Sequence, residues 1–121
     1  MTCVTDRERC RTYFKASGDM DSSAFINGHI AGMEDAGTPW LFDRLIDLTA
    51  CEGHVEYDDF VRLWKYWQPL MRKASGPLKT AIITQNEKTE KRMPLVAMML
   101  QGQLIRTFRT QPEAEAWLDA K

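Results

Sequence analysis

Six side chains able to ligate a metal, move a proton or attack a carbonyl fall between residues 47 and 57: Asp47, Thr49, Cys51, Glu52, His54 and Tyr57. Cys51 with His54 suggests a thiolate nucleophile. That chemistry also needs a base held against the thiol in space and an oxyanion hole. The residues around Cys51 carry no nucleophile elbow and no protease signature. A zinc ion needs three or four convergent ligands. Only Cys51 and His54 are local, His29 sits in another segment, and no C-x-x-C pair occurs. No P-loop and no G-x-G-x-x-G is present, so no phosphate cradle is expected. The expectation is no catalytic residue, no metal and no cofactor. Thr49, Cys51, His54 and Tyr57 then remain as residues for touching a ligand or partner.

The elements that must position them follow from periodicity. "TCVT", the charged turn "DRER" and "CRTYFKA" read as a hairpin. In its second run Cys10, Thr12, Phe14 and Ala16 share one face, and Arg11, Tyr13 and Lys15 share a mostly solvated one. "SGD" at 17–19 ends that strand. Asp21 or Ser22 caps a first helix marked by Ile26, Ile30 and Met33, which "DAGTP" stops. "WLFDRLIDL" at 40–48 reads as a central strand covered on both faces, with "TACEGH" as its exit loop. Phe60, Leu63, Trp64, Trp67 and Leu70 then follow the 3.6-residue period of a strong second helix, disfavoured at its end by Pro69. Trp64 and Trp67 do not both fit easily in a small core, so Trp64 joins the candidate contact residues. "LKTAIIT" is a short strand. A third helix follows, with Asn86 or Thr89 as its cap. If that helix starts near Met93, Pro94 fits its first turn and "EKTEKR" is an exposed charged loop. "QLIRTF" is a last strand, and "TQPE" is a capping box opening a last helix with Trp117 and Leu118 on its inner face.

The order β-β-α-β-α-β-α-β-α predicts an α/β fold. It has a mixed sheet of about five strands, an antiparallel hairpin followed by parallel βαβ units, and about four helices. A chain of 121 residues suits one domain over 1–121 with a core of its own. Three widely spaced cysteines do not make a disulfide framework. The opening "MTCVTDRERC" lacks an apolar signal core, and "LVAMML" is too short to cross a bilayer, so a cytoplasmic setting without a membrane span is expected. The net charge of −1 offers no global field for nucleic acid. Residues 1–60 carry 5 basic and 12 acidic groups and residues 61–121 carry 11 and 5, an asymmetry that interleaves on folding or guides self-association.

The tail "LIRTFRTQPEAEAWL" resembles the closing strand and helix of the SpoIIAA-like family of the STAS superfamily, with Phe108, Glu113, Ala116, Trp117 and Leu118 in matching places. "RLIDLTACEG" is similar to that family's central strand, and "YFKASGDMDSSAF" to its second strand and following helix. The resemblance implies a non-enzymatic regulatory or protein-interaction domain that acts on a protein partner or as a homodimer. The fold relationship of such domains to CRAL-TRIO lipid-binding domains implies an alternative. In that alternative a small apolar or lipid-like ligand lies between the second helix and the sheet. Anti-sigma-factor antagonists of this kind carry a phosphorylatable Ser at the start of the helix after the central strand. The matching stretch here, "HVEYDDF", has no Ser or Thr, so that switch does not carry over. Asp58 and Asp59 in a first helical turn are the ordinary structural choice.

Overall fold

The computed structural model describes residues 1–100 and 102–120. Its order is β1 (Thr2–Asp6), β2 (Arg11–Asp19), α1 (Ser22–Ala36), a 3-10 turn (Pro39–Leu41), β3 (Asp43–Glu52), α2 (Tyr57–Met71), β4 (Leu78–Ile83), α3 (Glu87–Met99), β5 (Gln103–Phe108) and α4 (Gln111–Asp119). The strands lie side by side in chain order, with β1 antiparallel to β2 and the rest parallel. The α/β fold with a mixed sheet is thus as the periodicity predicts.

Sequential strand order has a geometric consequence. Right-handed crossovers that always step in one direction put every crossover helix on the same face of the sheet. The larger core accordingly joins Phe14, Ile46 and Ile82 of the sheet to Ile26 and Met33 of α1, Phe60, Leu63 and Trp67 of α2, and Met93 and Val96 of α3. The opposite face carries Leu45, Ala81 and Ile83, covered by Ala114 and Leu118 of α4. Trp117 flanks them half-buried, its ring 5.6 Å from that of Phe108. α1 sits so close to the hairpin that a Cβ on Gly32 would lie 2.6 Å from both Cys3 Sγ and Phe14 Cε1. Any side chain there must displace Cys3 and Phe14 or push the helix off the sheet.

Four local expectations change. Residues 40–42 are not strand. Pro39 fixes φ, and the amides of Leu41 and Phe42 donate to the carbonyls of Thr38 and Pro39 at 2.9 and 3.2 Å, closing a 3-10 turn. β3 therefore begins at Asp43 and runs to Glu52, so Thr49–Glu52 is strand rather than exit loop. Ser17–Asp19 does not end β2; after a bulge it pairs with Ala50–Glu52. Nor is the Arg11–Tyr13 face solvated: α4 covers it. Arg11 donates to Asp119 Oδ1 at 2.7 Å, and Tyr13 Oη to Glu115 Oε1 at 2.7 Å. α3 starts at Glu87 with Asn86 as its cap, one of the two caps expected: the Asn86 side chain accepts from the Lys88 amide at 2.9 Å, and the later start near Met93 is not used. "EKTEKR" is helical, and Pro94 falls inside the helix, where it forgoes one backbone bond.

A polar tie joins the starts of α1 and α2. Ser22 Oγ accepts from the Glu56 amide at 2.7 Å and donates to Asp59 Oδ2 at 2.5 Å. Arg62 donates to Asp59 Oδ1 at 3.0 Å and to Asn27 Oδ1 at 2.8 Å. Ser22 first, and then Arg62, hold the Asp59 carboxyl below its ordinary range. Asp59 thus clamps two helices together.

Candidate functional site

β3 alternates its side chains between the two faces. Leu45 points to α4, while Arg44 and Ile46 point to the three crossover helices. That places a guanidinium inside the larger core, 4% exposed. Its Nη1 donates to His29 Nε2 at 2.6 Å and lies 3.3 Å from Met33 Sδ. Its Nη2 donates to Thr80 Oγ1 at 3.2 Å and to Gln103 Oε1. The Trp67 ring lies beneath it, 5.1 Å from the guanidinium carbon. Arg44 forms no ion pair among the described residues. Burial lowers its pKa to about 10, and the nearby Asp43 acts in the opposite direction.

The shell around Arg44 is short of acceptors. Arg44 only donates, so His29 must accept through Nε2 and carry its proton on Nδ1. That Nδ1 has no partner, and neither do Trp67 Nε1 and Gln103 Nε2, all buried. Gln103 Oε1 already accepts from Arg44 and from Thr80 Oγ1. One buried cation and three unsatisfied donors therefore meet in one place. Native interiors seldom leave such groups unmatched.

His29 stacks on Phe14, with ring centroids 4.2 Å apart. Burial first, and then the charge of Arg44, push its pKa well below 6.5. The folded protein therefore holds His29 neutral, while the unfolded chain takes up a proton below about pH 6.5. Stability contributed by this residue is complete above that pH and is lost as the pH falls. Urea titrations should show roughly 1–2 kcal/mol less stability near pH 5 than near pH 6.5. His29→Phe should flatten that part of the profile. An unchanged slope in the variant would assign the acid sensitivity to other groups.

Above Arg44 lies a cavity of about 70 Å³ between the sheet and the crossover helices. Its walls are mostly apolar: Ile46 and Ile82 from the sheet, Ile26 from α1, Leu63 from α2, and Met93 and Val96 from α3. His29, Arg44 and Thr80 border it along the amino-terminal part of the strands. The exposed Gly53, His54 and Asn86 border it at the carboxyl ends, where open α/β sheets usually receive ligands. Its described lining includes Arg44 and Arg92 and no Asp or Glu.

The residues singled out from sequence separate here. Cys51 and His54 reach the mouth of the cavity. Thr49 is exposed and its amide donates to Asp47 Oδ1 at 2.9 Å. Tyr57 is 65% exposed at the start of α2, and Trp64 packs half-buried against the larger core; neither lines the cavity. His54 instead faces Glu56 at 3.0 Å. Partial burial, and then Asp19 and Glu52, raise the Cys51 thiol, the reverse of what activates a nucleophile. No three metal-ligating side chains cluster among the described residues. Sequence reasoning missed Arg44, Thr80 and Gln103. A signal existed for Arg44, the one cation in a mostly apolar stretch. Another existed for His29, three residues after Ile26 and four before Met33 on the buried stripe of α1.

No protein-family model matches the chain, and no curated protein matches it significantly. Among solved structures it is similar to an uncharacterized protein of the DUF3478 family with a SpoIIAA-like fold from Shewanella loihica PV-4. The TM-score is 0.62 at 18% identity, over 97% of this chain and 90% of that one.

Proposed function

We propose that this chain, whose fold is SpoIIAA-like, is a non-enzymatic binding module that takes a small apolar ligand between the crossover helices and the sheet. The observation that carries the reading is the apolar cavity beneath α1, α2 and α3, bordered at its mouth by Cys51 and His54. A well-packed interior leaves few voids larger than a water molecule. By that standard this space holds roughly five waters or a compact organic molecule. Ligand exchange at such a site is a regulatory input that needs no phosphorylated serine. Three free cysteines suit a reducing, cytoplasmic setting for it.

A small neutral apolar fluorophore, naphthalene, tests the reading. One dye should bind per chain, saturably. Val96→Trp should abolish that binding by filling the cavity. In a core without a cavity the same change overpacks and costs about 1–3 kcal/mol; here the melting temperature should hold or rise. Absence of saturable binding by the parent protein, of the dye and of short aliphatic molecules alike, sinks the proposal.

A second reading has its own observation. Leu95 and Met98 project from α3 at 65% and 74% exposure. They suit a protein partner or a second copy of the chain better than solvent. Native mass spectrometry separates the readings, as a dimer in one case and a chain with an added small mass in the other.

A further inference from the structure

The cavity is apolar along most of its wall, yet its polar groups are of one kind. Arg44 brings a full positive charge, 4% exposed, with no carboxylate in contact among the described residues. His29, which borders the cavity, has an unpartnered Nδ1–H. Two more members of the Arg44 shell, Trp67 Nε1–H and the Gln103 amide, are unpartnered donors as well. Nearer the surface Arg92 also borders the cavity, its guanidinium carbon 5.4 Å from the Phe60 ring centroid. Two cations and one spare donor, His29 Nδ1–H, with no acid in the described lining form a site that lacks an anion.

We propose that the ligand is a small amphiphilic anion, of the class of short-chain or aryl carboxylates. Its hydrocarbon lies against Ile46, Ile82 and Val96, and its anionic head meets Arg44 and His29. This rests on the ligand-binding reading above and adds the chemistry of the head. A carboxylate supplies the counter-charge that Arg44 lacks, because its Nη1 and Nη2 bond only neutral groups. An alcohol or a hydrocarbon brings no charge to offset that of Arg44. Charge-assisted hydrogen bonds to a buried guanidinium are also stronger than those to a neutral group.

Hexanoate and hexan-1-ol share the same chain and differ in the head. Burial of hydrocarbon alone favours the alcohol, because the carboxylate must leave water. NMR titrations at neutral pH should nevertheless show hexanoate binding about tenfold tighter or more, with shifts at the amides around Arg44 and Thr80. In Arg44→Met that preference should disappear, while affinity for the alcohol stays within about threefold. Arg44→Lys keeps the charge without the fork and should retain only part of the preference. If Arg44→Met does not fold, Thr80→Val together with Arg44→Lys carries the comparison. Hexan-1-ol binding as tightly as hexanoate to the parent protein overturns the anionic head and leaves an apolar site. Failure of hexanoate, hexan-1-ol and the neutral fluorophore alike overturns the ligand-binding reading itself.

Discussion

Replacing Trp67 with alanine should cost about 3–5 kcal/mol, the range for removing a fully buried large aromatic. Trp67 is 1% exposed, on the face of α2 that meets the sheet. It fills the larger core and also lies under the Arg44 guanidinium, so its loss removes both hydrocarbon packing and a cation–π contact. A domain of this size is held by only about 5–15 kcal/mol in total. Thermal denaturation of Trp67→Ala should therefore begin near ambient temperature, and expression should suffer. Trp64, three residues earlier and half-buried, is the control. Its alanine variant should lose a fraction of that amount, about 1 kcal/mol. Equal losses from the two would mean that α2 turns a different face to the sheet.

Replacing Arg44 with methionine should act in the opposite direction and stabilise the ligand-free protein by about 1–3 kcal/mol. A buried charge without a counter-charge is a standing cost. Arg44 illustrates it, because burial lowers its pKa to about 10, well below the ordinary guanidinium range. Between that value and the ordinary range the unfolded chain binds a proton that the folded one has given up, so the penalty eases only at strongly alkaline pH. At neutral pH it applies in full. Methionine keeps much of the side-chain volume, and Thr80 still donates to Gln103 when the guanidinium is gone. His29 Nε2 loses its donor and Trp67 loses its cation, which sets the upper limit of the gain. Chemical denaturation checks the sign directly. A methionine variant less stable than the parent would mean that the hydrogen bonds of Arg44 outweigh its desolvation, and the site would then be structural. A stabilised variant that loses its preference for acids is what a site kept for binding predicts.

The element order was legible because each segment declares its period over several residues. Ile26, Ile30 and Met33 mark α1, and Phe60, Leu63 and Trp67 mark α2. The tail was legible down to its cap. Thr110 accepts from the Glu113 amide at 3.4 Å and donates to its carboxylate at 2.9 Å. Boundaries failed where composition and backbone geometry part company. Trp40, Leu41 and Phe42 are as apolar as a strand, but Pro39 had already turned the chain. At α3, by contrast, Asn86 was legible as a cap, and its bond to the Lys88 amide overrides the later start that Pro94 offered. The site was less legible for a different reason. Thr49, Cys51, His54 and Tyr57 drew notice because reactive side chains stood close together in sequence. What joins Arg44 to His29, Thr80 and Gln103 is three separate chain crossings, and no local window contains them. The unusual property of Arg44 is its dryness, which depends on helices as far along the chain as α3.

The placement of α4 bears on how the chain is made. All three crossover helices lie on one side, so Leu45, Ala81 and Ile83 on the other wait for a helix that follows the last strand. During synthesis the five strands leave the ribosome before α4 can close over them. For those seconds the nascent protein exposes a strip of hydrocarbon on a formed or forming sheet, a surface that invites chaperones or aggregation. Arg11 and Tyr13 beside that strip also wait, for Asp119 and Glu115. The last helix is thus the step that makes the newborn sheet safe to release, and truncation before Gln111 should yield inclusion bodies rather than a weaker soluble domain.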